Sequence, residues 1–213
     1  TIDGLVKHNG PIKDIAKLNK ILGKNFFKKK IYFSRNSTLE AQIASISDDI
    51  AYNSHDLEDG LRAQLFRLKD LKNIPILNSI LKKHDRKFKK FSQDLILRQI
   101  IRDIINEMVK DIIFNTKKNI KRNNIKNIND VYKSKYAIVC FSEKMNLFDI
   151  SIKRFLKEKM YYHKSVVQKT SYGKKVIKGL FLKIKKNPKK YIDIKNVNKS
   201  NINISIFYFI AWM

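Results

Sequence analysis

Between Leu95 and Ile113, apolar residues recur at three- and four-residue spacing: Leu95, Ile96, Ile100, Ile101, Ile104, Ile105, Met108, Val109, Ile112 and Ile113. A strand would need alternation, so this spacing predicts one long helix over 93–120 with a wide buried face. A helix of that length needs other helices to cover it. The chain is poor in breakers, with 6 Gly and 3 Pro in 213 residues, which disfavours a strand-and-turn architecture. The fold class expected is all-α. A hydrophobic content of 43% suffices for one helical domain spanning 1–213.

Other segments read the same way. Ser37-Thr38-Leu39-Glu40 has capping-box spacing, with Ser37 as N-cap and Glu40 three residues on. Leu39, Ile43, Ile46 and Ile50 then place an apolar face on a helix over 37–59, which Gly60 closes or bends. Pro75 interrupts the next segment, and the Asn- and Lys-rich residues 115–130 read as a polar loop. A helix over 142–168 is capped by Ser142, and a shorter amphipathic one covers 173–186 before Asn187-Pro188. The only strand-like stretch surrounds Ile138 and Val139.

Charge narrows the function classes. With 46 Lys and Arg against 19 Asp and Glu, the formal charge is +27. The excess is mostly Lys rather than Arg, and Lys, Ile and Asn recur all along the chain, the pattern an AT-rich coding sequence imposes on any surface. Its field nevertheless favours an anionic substrate or incidental nucleic-acid contact. The single Cys140 excludes an internal disulfide and fits a reducing cytoplasm. Residues 1–30 carry no secretory signal. The apolar run Ile202 to Met213 is too short to cross a bilayer, so no membrane role is expected. Thr1 and that uncovered run read as cut ends.

Against this basic background, Asn36 to Leu61 contains no Lys or Arg, yet holds Glu40, Asp48, Asp49, Asp56, Glu58 and Asp59. On a helix Asp48, Tyr52 and Asp56 form one slanted stripe opposite the apolar face, flanked by Ala41, Ala44, Ser45 and Ala51. Two carboxylates and a phenol on a small-residue face suit a metal-bound polyphosphate sugar. A plain solvent face has the same pattern.

The stretch Ser37-Thr38-Leu39-Glu40-Ala41 through Asp48-Asp49-Ile50-Ala51-Tyr52-Asn53 to Asp59-Gly60-Leu61-Arg62-Ala63 closely resembles the last metal-ligand motif of the bacterial dGTPase-like (deoxynucleoside triphosphate triphosphohydrolase) proteins. Gly4-Leu5-Val6-Lys7-His8-Asn9-Gly10-Pro11, Phe141 to Met145, Lys159 to His163 and Ile206 to Met213 resemble other blocks of that family. The resemblance implies the C-terminal part of an all-helical His-Asp (HD) domain that cleaves a dNTP to deoxynucleoside and triphosphate with a divalent metal such as Mg or Mn. The family's metal is held by a His, an adjacent His-Asp pair and a distant Asp. Asp48 matches that last ligand, Tyr52 a phosphate-contacting tyrosine, Asp56 an aspartate near the sugar, and Lys7 a phosphate-contacting lysine.

The first His and the His-Asp pair have no match within the chain. His55-Asp56 and His84-Asp85 lack the family's surrounding residues, and His8 and His163 read as local structural or substrate-edge groups. One carboxylate does not hold a catalytic metal, so the isolated chain is expected to be inactive, with no catalytic residue of its own. It would work as a component completed by an N-terminal half polypeptide, within a homo-oligomer. The alternatives are a decayed remnant, or a basic helical nucleic-acid-binding module using 82–90, 117–126 and 183–190.

Overall fold

A computed structural model of the chain describes residues 2–22, 31–84, 92–192 and 202–213. They form two compact units, Thr1–Leu156 and Lys157–Met213. The helices are α1 (Ile2–Val6), α2 (Ile15–Leu22), α3 (Leu39–Arg62), α4 (Pro75–His84), α5 (Gln93–Arg122), α6 (Ile128–Lys133), α7 (Glu143–Leu156), α8 (Lys164–Lys186) and α9 (Ile202–Trp212). Among the described residues there is no strand. The all-α expectation holds.

In the first unit, α3 packs on α5, with α4 against α5, and α7 and α1 against α3. Leu57 of α3, Leu77 and Ile80 of α4, Ile100, Ile104 and Met108 of α5, and Phe148, Ile152 and Leu156 of α7 are fully buried. The long apolar pattern thus forms the central helix, capped by Ser92, whose Oγ accepts from the Leu95 amide at 3.4 Å. Its buried stripe is narrower than expected, because Leu95, Val109 and Ile113 point to solvent.

Several local expectations are corrected. Thr38, not Ser37, caps α3: its Oγ1 accepts from the Ala41 amide at 3.3 Å, while Ser37 is buried and gives its carbonyl to Gln42. Ile43 is 47% exposed, because the buried face of α3 is built from Gln42, Ile50, Asn53, Ser54, Leu57 and Gly60. Gly60 does not end the helix, which runs on to Arg62. It gives room to Phe66, whose ring lies where a Cβ would sit, at 2.3 Å, and Phe66 in turn meets Phe155 edge-on. The helix ends instead with Gln64 in the left-handed region (φ 55°), the Leu65 amide reaching back to the Gly60 carbonyl at 2.9 Å.

Residues 115–122 are helical rather than a loop, so α5 runs to Arg122 and α6 follows Asn127. Asn115 and Asn119 hold this extension in place, donating to the Cys140 and Ile138 carbonyls at 2.9 and 3.0 Å. The stretch expected as strand is the buried, irregular approach to α7, and Ile138 and Val139 donate their amides to the Gln42 side chain. Ser142 starts α7 as predicted, its Oγ accepting from the Met145 amide at 3.3 Å. The expected helix over 142–168 is interrupted: α7 stops at Leu156, and a π-helical turn covers Lys157–Tyr161.

The second unit is built from that turn, α8 and α9. His163 caps α8, its Nδ1 accepting from the Ser165 amide, so the helix starts at Lys164 rather than 173. Ile184, Ile192 and Ile206 form a small core with Phe181, Tyr191, Ile202, Phe209 and Ile210. Among the described residues no helix is long and apolar enough to cross a membrane.

Candidate functional site

The motif stripe lies on α3, and three neighbouring elements decide which way it faces. From the N-terminal side, α1 packs on the first turns of α3. A Cβ on Gly4 would lie 2.8 Å from the Ala41 Cβ, so only glycine allows this approach. The following turn is then tied down by Ser45, whose Oγ donates to the His8 carbonyl at 2.6 Å. This brings the His8 ring beside the stripe, with Nε2 3.6 Å from Asp48 Oδ2. The Asp48 side chain is 71% exposed and Tyr52 59%, while Asp56 is half-buried. His55 is exposed on the same helix.

Lys7 points elsewhere. It is buried, its ammonium 2.7 Å from Asp3 Oδ1 and 3.4 Å from the Asn36 carbonyl, and 5.9 Å from the centre of the Tyr132 ring. Asn36 continues the network by donating to the Ser134 and Tyr136 carbonyls. Burial pushes the Tyr132 phenol above its ordinary range, helped by the negative charges of Asp3 and Glu40. Asp48 and Tyr52 therefore share an open face with His8, whereas Lys7 sits behind that turn in an interior ion pair.

From behind, α7 grips α3 through residues adjacent to the motif positions. Asn53 donates to Asp149 Oδ1 at 3.0 Å, and both side chains are buried. The Lys153 ammonium bridges Asp149 Oδ2 at 2.9 Å and Asp49 Oδ2 at 3.2 Å. Burial opposes the Lys153 charge, but the hydrogen bond and charge of Asp149, with those of Asp49, raise its pKa above the ordinary lysine value. Asp49 and Asn53 lie within the motif stretch, but their pairing with Asp149 and Lys153 was not read from sequence. The available signal was their spacing, since Asp49/Asn53 and Asp149/Lys153 are both i, i+4 pairs on facing helices.

The second His-Asp dipeptide is structural where it is described. His84 is buried at the end of α4, its Nε2 2.8 Å from Asp103 Oδ2 on α5. Asp85 lies outside the described residues, as does most of the Lys-rich stretch at 82–90. Among the described residues no group of three or more His, Cys, Asp or Glu side chains could hold a metal ion. Asp48 with His8 alone does not make such a site.

No family model matches the chain. It is, however, 47% identical over all 213 residues to a deoxyguanosinetriphosphate triphosphohydrolase-like protein of Pelagibacter ubique, covering 57% of that protein. It is 34% identical over 192 residues to the protein of the same description from Bartonella tribocorum, covering 88% of this chain and 48% of the relative. With the Rickettsia typhi protein so described, identity is 33% over 205 residues, 96% of this chain and 51% of the relative. The chain spans about half the length of these curated relatives. Identity at this level along the whole sequence makes the chain a member of the deoxyguanosinetriphosphate triphosphohydrolase-like protein family.

Proposed function

We propose that this chain supplies one side of a metal-dependent dNTP triphosphohydrolase site of the HD type. In this reading Asp48 donates one carboxylate oxygen to a divalent cation such as Mg or Mn. Tyr52 donates its hydroxyl to a phosphate, Asp56 accepts from the sugar, and Lys7 serves as a phosphate contact by exchanging Asp3 for phosphate. The remaining metal ligands come from the portion of the relatives that the chain does not match, whether joined to it or supplied by a partner polypeptide. Assembly as a homo-oligomer and a cytoplasmic location belong to the same proposal.

One observation carries the reading. In a chain of charge +27, the family motif presents a carboxylate and a phenol on one open helix face, with a second carboxylate half-buried beside them. A hard cation and a polyphosphate need an open oxygen-rich surface, and a basic surround attracts such an anion. The incomplete ligand set also supports the corollary that the chain alone does not hydrolyse dNTPs.

The test is triphosphate release from dGTP with Mg or Mn. The expected result is no release by the chain alone, and release once the N-terminal part of a family member is added. That activity should be lost in Asp48→Ala. Hydrolysis by the chain alone, or equal activity of Asp48→Ala in the mixture, overturns the proposal. Salt-sensitive DNA binding that survives both Asp48→Ala and Tyr52→Phe, without complementation, would instead favour the basic nucleic-acid-binding module.

A further inference from the structure

We infer that Asp149 and Lys153 of α7 are positioning residues that set the rotation of α3 about its own axis, and so the direction in which Asp48 and Tyr52 face. The inference rests on the proposed role of those two residues only for the purpose it serves. The geometry stands without it.

Consecutive residues on a helix are about 100° apart, so fixing one stripe fixes its neighbour. The stripe gripped from behind is Asp49 and Asn53, each one residue beyond a motif position. Its partners form a second i, i+4 pair on the facing helix, and Lys153 closes the ladder by touching carboxylates on both helices. Apolar packing alone tolerates some rotation, because methyl and methylene groups have no preferred direction. A buried amide and a buried carboxylate do not tolerate it: a small rotation leaves both without partners. Asn53 and Asp149 are 4% and 6% exposed, so water cannot replace the lost bond cheaply. The other polar clamp on this helix, Gln42 against 138–139, acts nearer its N-terminal end. At the level of Asp48 and Tyr52, it is this ladder that joins α3 to α7.

The inference predicts rotation, which is measurable without ligand. In the full chain carrying Cys140→Ser, nitroxide labels are placed at Leu147→Cys on the exposed side of α7 and at either Tyr52→Cys or Ser47→Cys on α3. Positions 52 and 47 lie on opposite sides of the gripped stripe, so rotation moves one label toward α7 and the other away. With labels carried at a radius of about 5–6 Å, a rotation of about 20° in Lys153→Met and Asn53→Leu should shift the two mean distances by about 1–2 Å in opposite senses. Lys153→Arg should restore the wild-type values. A purely stabilising role would lower the melting temperature and leave both distances unchanged.

Unchanged distances in folded Lys153→Met and Asn53→Leu overturn the inference. If these variants do not fold, Asp49→Ala decides. Its side chain is exposed and it removes one rung, so it should give a smaller shift of the same sign, and no shift overturns the inference. Mn2+ added to the unlabelled, isotope-enriched wild type tests the other reading separately. Absence of paramagnetic broadening at the Asp48 amide in the complemented protein counts against Asp48 as a ligand. The distances still decide the ladder.

Discussion

Asn53 and Asp149, 96 positions apart in sequence, meet across the α3–α7 interface through an Nδ2–Oδ1 hydrogen bond of 3.0 Å, with both side chains buried. The bond lets a helix with a polar inner face pack against the core, because every polar group that enters must arrive with a partner. Asp149 carries the larger share, since its second oxygen holds Lys153. Removing it leaves the buried Asn53 amide without its partner and the Lys153 ammonium with Asp49 alone. Asp149→Ala should therefore destabilise the chain by about 2–4 kcal/mol, read as a lower urea midpoint. A midpoint within error of wild type would show that the site relaxes around the loss.

Gln42 does similar work nearer the start of α3. Its Oε1 accepts from the Ile138 and Val139 amides at 2.9 and 3.0 Å, and its Nε2 donates to the Ser37 carbonyl at 2.8 Å. This one side chain satisfies the irregular segment that a strand would otherwise have needed to satisfy. Gln42→Leu has similar volume but leaves two buried N–H groups and a carbonyl unpaired, at a cost of about 2–4 kcal/mol. Hydrogen exchange at Ile138 and Val139 should accelerate more than at the middle of α5. Uniform acceleration along the chain would instead report global destabilisation.

These two clamps explain which parts of the molecule were legible in the sequence. The existence and type of the long helices followed from apolar spacing, which runs furthest in α5. The stripe of Asp48, Tyr52 and Asp56 was legible because a charge reversal in a basic chain marks it. The inner face of α3 was not, since Gln42 and Asn53 are polar letters whose partners lie far away in sequence, and Ser54 is buried beside them. Ile43 was assigned inward for the same reason, and proves exposed. Likewise Asn115 and Asn119 read as loop residues until the carbonyls they bind at 140 and 138 are seen. The cap moved by one residue because Ser37 and Thr38 are equally capable of capping, and only backbone direction chooses between them.

Gly60 gives a prediction that runs against helix propensity. Alanine is the better helix former by about 1 kcal/mol, and position 60 lies within α3. Yet an added Cβ would lie 2.3 Å from the Phe66 Cε1 and 2.4 Å from Cζ, and that ring is itself pinned against Phe155. Gly60→Ala should therefore destabilise by about 1–3 kcal/mol, as overpacking does. The double variant Gly60→Ala/Phe66→Leu should recover part of that loss relative to Phe66→Leu alone. A Gly60→Ala chain with a raised melting temperature would show that the Phe66 ring moves aside freely.

The contact between α4 and α5 should respond to acid. Burial raises the pKa of Asp103, but hydrogen bonds from His84 and Gln99, with the nearby charges, override it and leave the pKa below the ordinary aspartate value. A carboxylate depressed in the folded state adds stability that is complete above its unfolded pKa, near 4, and is lost as pH falls through the folded value. Wild-type stability should therefore decline below about pH 4 more steeply than that of Asp103→Asn, which keeps the shape but cannot ionise. The variant should be less stable at neutral pH, where the ionised carboxylate holds the His84 ring, and the two urea midpoints should converge in acid. The side chain is partly exposed, so the difference is expected to be modest. Parallel stability curves for the two proteins between pH 3 and 7, titrated by urea at about unit intervals, would remove Asp103 as the source of any acid sensitivity.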